Sequence, residues 1–301
     1  MAHGSDSVKS IFLALGANLA IAIAKLLAAL FTGSGSMIAE AIHSFSDCGN
    51  QLLLLLGLKV SKRPPSLEHP LGSGKAIYFW SFIVALILFS VGGGYSIYEG
   101  LHKLSHPQEL GHEYVAVIVL LFAIFAEGFA LRGCIQAINK VRNGRSFFRW
   151  FRESRQSELL IIFSEDSAAI LGLIFALVAV VTSWITGNPL YDAYGSIGIG
   201  VILIIVAFMV GLEVKALLIG QGVEPHIKSE MEEFLNEQEA VEHVYNLLTL
   251  QMGNDVMVAI KAKINRSEDS SVEELINFTE KEFKERFPQT MWLFFEPDLR
   301  D

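Results

Sequence analysis

The stretch from Ala39 to Leu52, AEAIHSFSDCGNQL, decides how the rest of the chain is read. It lies inside an apolar run long enough to cross a lipid bilayer, yet it carries Glu40, His43 and Asp47. A charge at membrane depth costs at least ~2.5 kcal/mol for an Asp even on the lenient insertion scale. Side chains retained at that cost need something to offset it, and the pattern here points to a metal ion. On a helix, His43 and Asp47 share a face one turn apart, and Glu40 and Asn50 continue the stripe. Imidazole and carboxylate together suit zinc, manganese, iron or cobalt.

Outward from that stretch the composition agrees with a membrane setting. The 301 residues are 52% hydrophobic and 18% charged, with a mean hydropathy of +0.44, too apolar for an ordinary soluble domain. A span needs ~20 mostly apolar residues. Six stretches qualify, at about 10–32, 37–60, 77–99, 113–139, 158–185 and 190–219. The turn-rich TGSGS and TGNPL make the first and last pairs tight connections. Lys9, Lys62, Arg63 and Lys75 flank one set of span ends, joined by Lys140, Arg142, Arg145, Arg149, Arg152 and Arg155 between the fourth and fifth spans. The opposite side shows only Lys103, so the positive-inside rule puts the basic loops and both termini in the cytoplasm. The opening MAHGSDSVKS lacks the order of a signal peptide, and the first apolar run is read as retained. Cys48 and Cys134 both fall within spans without ligand-spaced neighbours, which suggests neither a disulfide framework nor a thiolate metal site.

From about Gln221 the chain turns charged and acidic, and Glu residues between Glu224 and Glu285 supply much of the net charge of -9. That balance argues against nucleic acid as a partner. The periodicity predicts a helix near 226–237, a strand over HVYNLLTLQM, a turn at GND, a strand over VMVAIKAKI, a helix in SSVEELINFTEKEFKERF and a strand at MWLFFEP. Trp292, Phe294 and Phe295 read as core or dimer packing. The expected fold is a membrane all-α bundle of six transmembrane helices over residues 1–220. A small cytoplasmic α+β domain, in the order α-β-β-α-β, follows over 221–301.

A second acidic span strengthens the metal reading. In the fifth span, IIFSEDSAAILG sets Glu165 and Asp166 among apolar neighbours, so an ion gathered from two helices would account for both sets. A His and an Asp one turn apart can instead simply bond to each other or to a neighbouring backbone. Intramembrane ionisable residues, however, mark ion or proton pathways by default, and the unpaired acids outnumber the available intramembrane base, Lys25. Glu127, in FAIFAEGFAL, has three readings, in order: ion pair with Lys25, proton carrier, or ligand.

These residues resemble a known family. AEAIHSFSD, the loop EHPLGSGKA, the acidic fifth span, the YDAYGSIGIG opening of the sixth and the α-β-β-α-β tail are similar to the cation diffusion facilitators over nearly the whole chain. EAIHS, HPLGSGKAIY, the AEG of the fourth span, FRESRQS, FSEDSAA and ITGNPLYD are most similar to the zinc transporter nine branch. The resemblance implies a homodimer that exchanges a divalent metal, usually zinc, for protons, with a site built from the second-span motif and a fifth-span HxxxD. His43 and Asp47 match the first pair and Asp166 matches the last Asp of the second, whose His falls on Ile162, which cannot ligate. Glu165, Asn50, Glu127 or water is left to complete the shell. Of the family's loop site Glu68 and His69 remain, but Ser73 stands where its second His would be. In the tail the family's His positions hold Tyr245, Lys261, Leu275 and Phe294, with Glu296 still acidic and His226 and His243 off the pattern. The tail is therefore expected to dimerise without the metal cluster.

The expected activity is exchange of Zn2+, or of Mn2+, Fe2+ or Co2+, for protons, with His43 and secondarily Glu127 carrying the proton. An enzyme is not expected, since no HExxH occurs. The competing class is a regulatory or scaffold protein that binds metal on a transporter fold without moving it, for which the missing fifth-span His and tail ligands are the argument.

Overall fold

The computed structural model of the chain describes residues 3–107, 111–142, 144–265 and 271–298. Side chains of the first helix are described at 15, 16 and from 18 onward, so the Lys9 assigned above to a span end lies outside the described side chains. The elements run α1 His3–Thr32, α2 Gly35–Ser61, α3 Ala76–Ile87, a π-helical stretch Leu88–Gly94, α4 Tyr95–Ser105, α5 Glu113–Val141, α6 Phe147–Glu153, α7 Ser157–Thr186 and α8 Leu190–Ile219. The tail follows as α9 Pro225–Glu237, β1 Val241–Met252, β2 Asp255–Ile264, α10 Val272–Arg286 and β3 Thr290–Pro297.

Four helical stretches among the described residues are long and apolar enough to cross a membrane: Ala76–Ser105, Glu113–Val141, Ser157–Thr186 and Leu190–Ile219. The chain is thus a membrane protein with a helical bundle. The other two expected spans fold as helices too; among the described side chains of α1 the apolar stretch is Asn18–Thr32, and α2 carries the polar residues that opened the argument.

The chain forms two compact units. The first holds Met1–Leu56, Trp80–Arg145 and Glu158–Glu213. Its core is rich in alanine, with Ala28, Ala39, Ala116, Ala123, Ala168 and Ala176 packed around Leu88, Leu120, Leu173 and Leu203. Small residues of this kind let helices approach closely where lipid supplies no hydrophobic drive to bring them together. A close seam joins the π-helical stretch and α4 to α8. A Cβ on Gly200 would stand 2.6 Å from Ile97 Cγ1 and 2.8 Å from the Gly93 carbonyl oxygen.

At one end of this unit Asp192, near the start of α8, gathers the turn between α1 and α2. Its Oδ1 accepts from Ser34 Oγ at 2.6 Å and Ser36 N at 3.2 Å, and its Oδ2 accepts from Gly35 N at 2.6 Å. These amides open α2 and have no partner within the helix, so the carboxylate caps its N-terminus from another helix. Lys103 of α4 sits 3.5 Å from Asp192 Oδ2 and donates to the Gly33 carbonyl. The sequence picked out YDAYGSIGIG without assigning this role to its Asp.

The second unit holds Gly57–Phe79, Ser146–Ser157 and Val214–Asp301. Its sheet runs β1-β2-β3, antiparallel between β1 and β2 and parallel between β2 and β3. In the central strand β2 every second residue is buried, the alternation expected of a half-buried strand. Val258, Ile260, Met231, Leu235 and Phe283 form the core beneath it. Gly253 takes φ +70° at the first position of the β1–β2 turn, the position where a type II′ turn demands it. Ser271 and Glu274 close a capping box at the start of α10. The tail elements agree with the predicted order and lie within a few residues of the predicted bounds. Of the aromatic residues in β3, Phe295 packs on the core whereas Phe294 is 52% exposed.

The basic segment between the fourth and fifth spans, expected as loop, contains α6. Ser146 caps it by accepting from Arg149 N, and Trp150 is buried. The loop HPLGSGK also has a structural task. Gly74 lies against the β1–β2 turn so closely that a Cβ on Gly253 would meet the Gly74 carbonyl at 2.6 Å, and Tyr78 Oη accepts from Gly253 N at 3.0 Å.

Candidate metal centre

Helix α2 turns Glu40, His43, Ser44 and Asn50 inward, all of them buried. Asp47 lies one turn beyond His43, and His43 Nδ1 is 3.5 Å from Asp47 Oδ1, too far and too poorly aligned for a hydrogen bond. Helix α7 supplies Glu165, which is buried, and the half-buried Asp166. Asn50 Nδ2 donates to Glu165 Oε1 at 2.6 Å, a direct bond between α2 and α7. The two helices whose acidic stretches the sequence singled out therefore meet.

They line a cavity of about 30 Å³, large enough to hold a water or an ion. Asp47, Glu127, Glu165 and Asp166 line it together with Asn18, Ser44, Gln51, Ile162 and Ala169. Three of the five candidate ligands, Asp47, Glu165 and Asp166, thus reach one space, and so does Glu127 from α5. His43 and Asn50 do not line it; each touches a residue that does. Ile162, at the position of the missing fifth-span His, puts an apolar side chain into the cavity wall.

The electrostatics of this region are incomplete in a specific way. Both ring nitrogens of His43, Oδ1 of Asp47, Oδ1 of Asn50 and Oε1 of Glu40 are buried without a hydrogen-bond partner. Buried polar atoms are almost always paired, because leaving one unmade costs ~1–3 kcal/mol. Five such atoms along one helix face mark a place that expects polar company. Among the described residues no group of three or more His, Cys, Asp or Glu side chains converges tightly enough to hold a metal ion. The acids share a space rather than a point.

One pairing differs from the sequence reading. Lys25 of α1, expected to neutralise Glu127, instead reaches Glu40 Oε2 at 3.3 Å and Ser44 Oγ at 2.7 Å. The rotation of α1 about its own axis decides between the two acids, and that rotation is a tertiary property. Cys48 and Cys134 are free and buried. In the loop, His69 is exposed and its backbone carbonyl accepts from Ser66 N and Gly72 N, which folds the segment on itself. In the tail, Lys261 pairs with Asp298 at 3.2 Å, and His226 lies 3.5 Å from Glu224.

Comparison with known proteins shows the family of the chain. The cation efflux transmembrane domain matches residues 11–219. The proton-coupled zinc antiporter SLC30A9, mitochondrial, of Xenopus laevis is 36% identical over 247 residues, which cover 80% of this chain and 43% of that protein. Its Homo sapiens counterpart is 37% identical over 235 residues, 76% of this chain and 41% of that protein. Metal tolerance protein C4 of Arabidopsis thaliana is 31% identical over 217 residues, 71% of this chain and 48% of that protein. The chain spans less than half the length of these relatives. With residues 11–219 matched, more than half of its length, the chain belongs to the cation diffusion facilitator family.

Proposed function

We propose that the chain exchanges a divalent metal ion, zinc first, for protons across a membrane. It would cross the bilayer six times, with residues 1–220 as the transport domain and with both termini and the 221–301 domain in the cytoplasm. Zinc and protons are named for the SLC30A9 relatives. One observation carries the reading here: α2 and α7 bring Asp47, Glu165 and Asp166 to one water-sized cavity, beside a buried His43 with both nitrogens unpartnered. A metal cargo would give those atoms the company they lack. The ligand set is His43, Asp47 and Asp166, with Glu165 or the Asn50 carbonyl completing it. Mn2+, Fe2+ and Co2+ fit the same donors.

Proton coupling follows from the donors. Imidazole and carboxylate bind a metal only when deprotonated, so binding on one side releases protons and protonation on the other releases the ion. His43, whose side-chain type changes charge near neutral pH, is the first carrier, and Glu127 on the cavity wall is the second. The tail domain pairs two chains into a homodimer, and the family's cytoplasmic metal cluster is not required for that.

Reconstituted in liposomes that enclose a zinc-sensitive dye, the protein is expected to show saturable zinc flux driven by a pH gradient. Asp47→Ala combined with Asp166→Ala should abolish it. Flux that survives this double change, or none from the unaltered chain, removes the reading. Ile162 in the cavity wall favours one competitor, a protein that binds metal and does not move it; stoichiometric zinc binding without flux would select that competitor.

A further inference from the structure

Lys25 is fully buried in α1, and its ammonium reaches two residues of α2 one turn apart. It lies 3.3 Å from Glu40 Oε2 and donates to Ser44 Oγ at 2.7 Å. Ser44 lines the cavity that holds Asp47, Glu165 and Asp166. Glu40 is also fully buried, and its second oxygen has no hydrogen-bond partner. Gly172 of α7 makes room for that oxygen, since a Cβ there would stand 2.5 Å from Glu40 Oε1. The free carboxylate oxygen therefore sits against α7 one turn from His43, where an ion held between α2 and α7 would find another ligand.

We propose that Lys25 is a tethered counter-cation that keeps Glu40 out of the coordination shell and so sets how tightly the neighbouring site grips a divalent ion. The inference rests on the transport reading and deepens it. A carrier must hold its cargo firmly enough to select it and loosely enough to let it go. Five acids, Glu40, Asp47, Glu127, Glu165 and Asp166, lie on the three helices that carry this region. Fully available, they would hold a divalent cation too strongly for release. A lysine paired to one of them cancels its charge without leaving the protein. Its hydrogen bond to Ser44, which lines the cavity, holds the pair beside the site. Lys25 touches neither the ion nor its ligands, so it is a positioning and charge-setting residue.

Zinc titration of the detergent-solubilised full chain by calorimetry tests this. Glu40→Gln strips the counter-charge from the ammonium and is expected to weaken zinc binding by roughly tenfold or more. Lys25→Met removes the positive charge, frees Glu40 for the ion and is expected to tighten zinc binding severalfold. The double variant Lys25→Met, Glu40→Gln removes both charges at once and should return affinity to within about threefold, since replacing a buried pair by neutral groups is far milder than breaking it. Effects of opposite sign in the single variants are something a purely structural pair would not produce. Weakened or unchanged binding in Lys25→Met, an unaffected Glu40→Gln, or a double variant no better than Glu40→Gln alone overturns the proposal. If Lys25→Met fails to fold, the comparison of Glu40→Gln with the double variant decides it. An unaltered chain that binds no zinc sinks this inference and the transport reading together, whereas normal zinc binding with the wrong pattern sinks this one alone.

Discussion

At the scale of single residues, Ile162 separates this chain from the pattern it otherwise follows. It lines the cavity one turn before Asp166, so a side chain at that position already points where a ligand would be needed. Ile162→His is expected to tighten zinc binding by about tenfold or more, since an added imidazole donor is a strong one for zinc. A calorimetric titration beside the unaltered chain checks it, and unchanged or weaker binding would mean that the cavity is not where the ion sits. His43, Asp47, Glu165 and Asp166 were legible because charge in a long apolar run is costly and draws attention to itself. Lys25 was legible as a buried base, but its partner was not, because the sequence does not say whether α1 turns that lysine toward Glu40 of α2 or Glu127 of α5. Asp192 was harder still. An acid close to a turn ordinarily looks solvated, and only the fold shows that it caps a helix 157 residues earlier in the chain.

At the scale of elements, the seam between α8 and the π-helical stretch depends on the absence of side chains. Gly200→Ala would force a methyl group against Ile97 and the Gly93 carbonyl, and overpacking of that kind costs ~1–3 kcal/mol. Gly211 of the same helix has nothing within 4 Å of its would-be Cβ. Gly211→Ala is expected to be neutral or slightly stabilising, because alanine loses less conformational freedom in a helix. Thermal unfolding in detergent distinguishes the two, and equal melting temperatures would contradict the close seam. Helix and strand periodicity gave the tail elements nearly as they are, down to the turn at Gly253. The π-helical stretch left no such trace, since FSVGGG reads as a weak helix whichever turn it adopts. Helix α6 was hidden by its arginines, which mark a loop by charge although Ser146 supplies an ordinary cap.

At the scale of the whole molecule, the function proposed above includes pairing of two chains. The mass of the protein in detergent, after subtraction of bound detergent, should equal two chains, and a single-chain mass would remove the homodimer. The membrane class was legible from composition alone, because no soluble core requires so many unbroken apolar runs. The span count was less secure, for the polar residues that make α2 interesting are the same ones that make it a poor span by hydropathy. The Asp192 clamp has a mechanical consequence for any motion of that helix. It fastens the first turn of α2 to α8 through three hydrogen bonds, so drawing the two apart there would strand a buried carboxylate, whereas tilting α2 about that fixed end would not. Asp47 lies about 18 Å along the lever from Gly35, at 1.5 Å per residue. A tilt of only about 5° then sweeps it through roughly 1.5 Å, several times the ±0.2 Å that a metal–ligand bond tolerates.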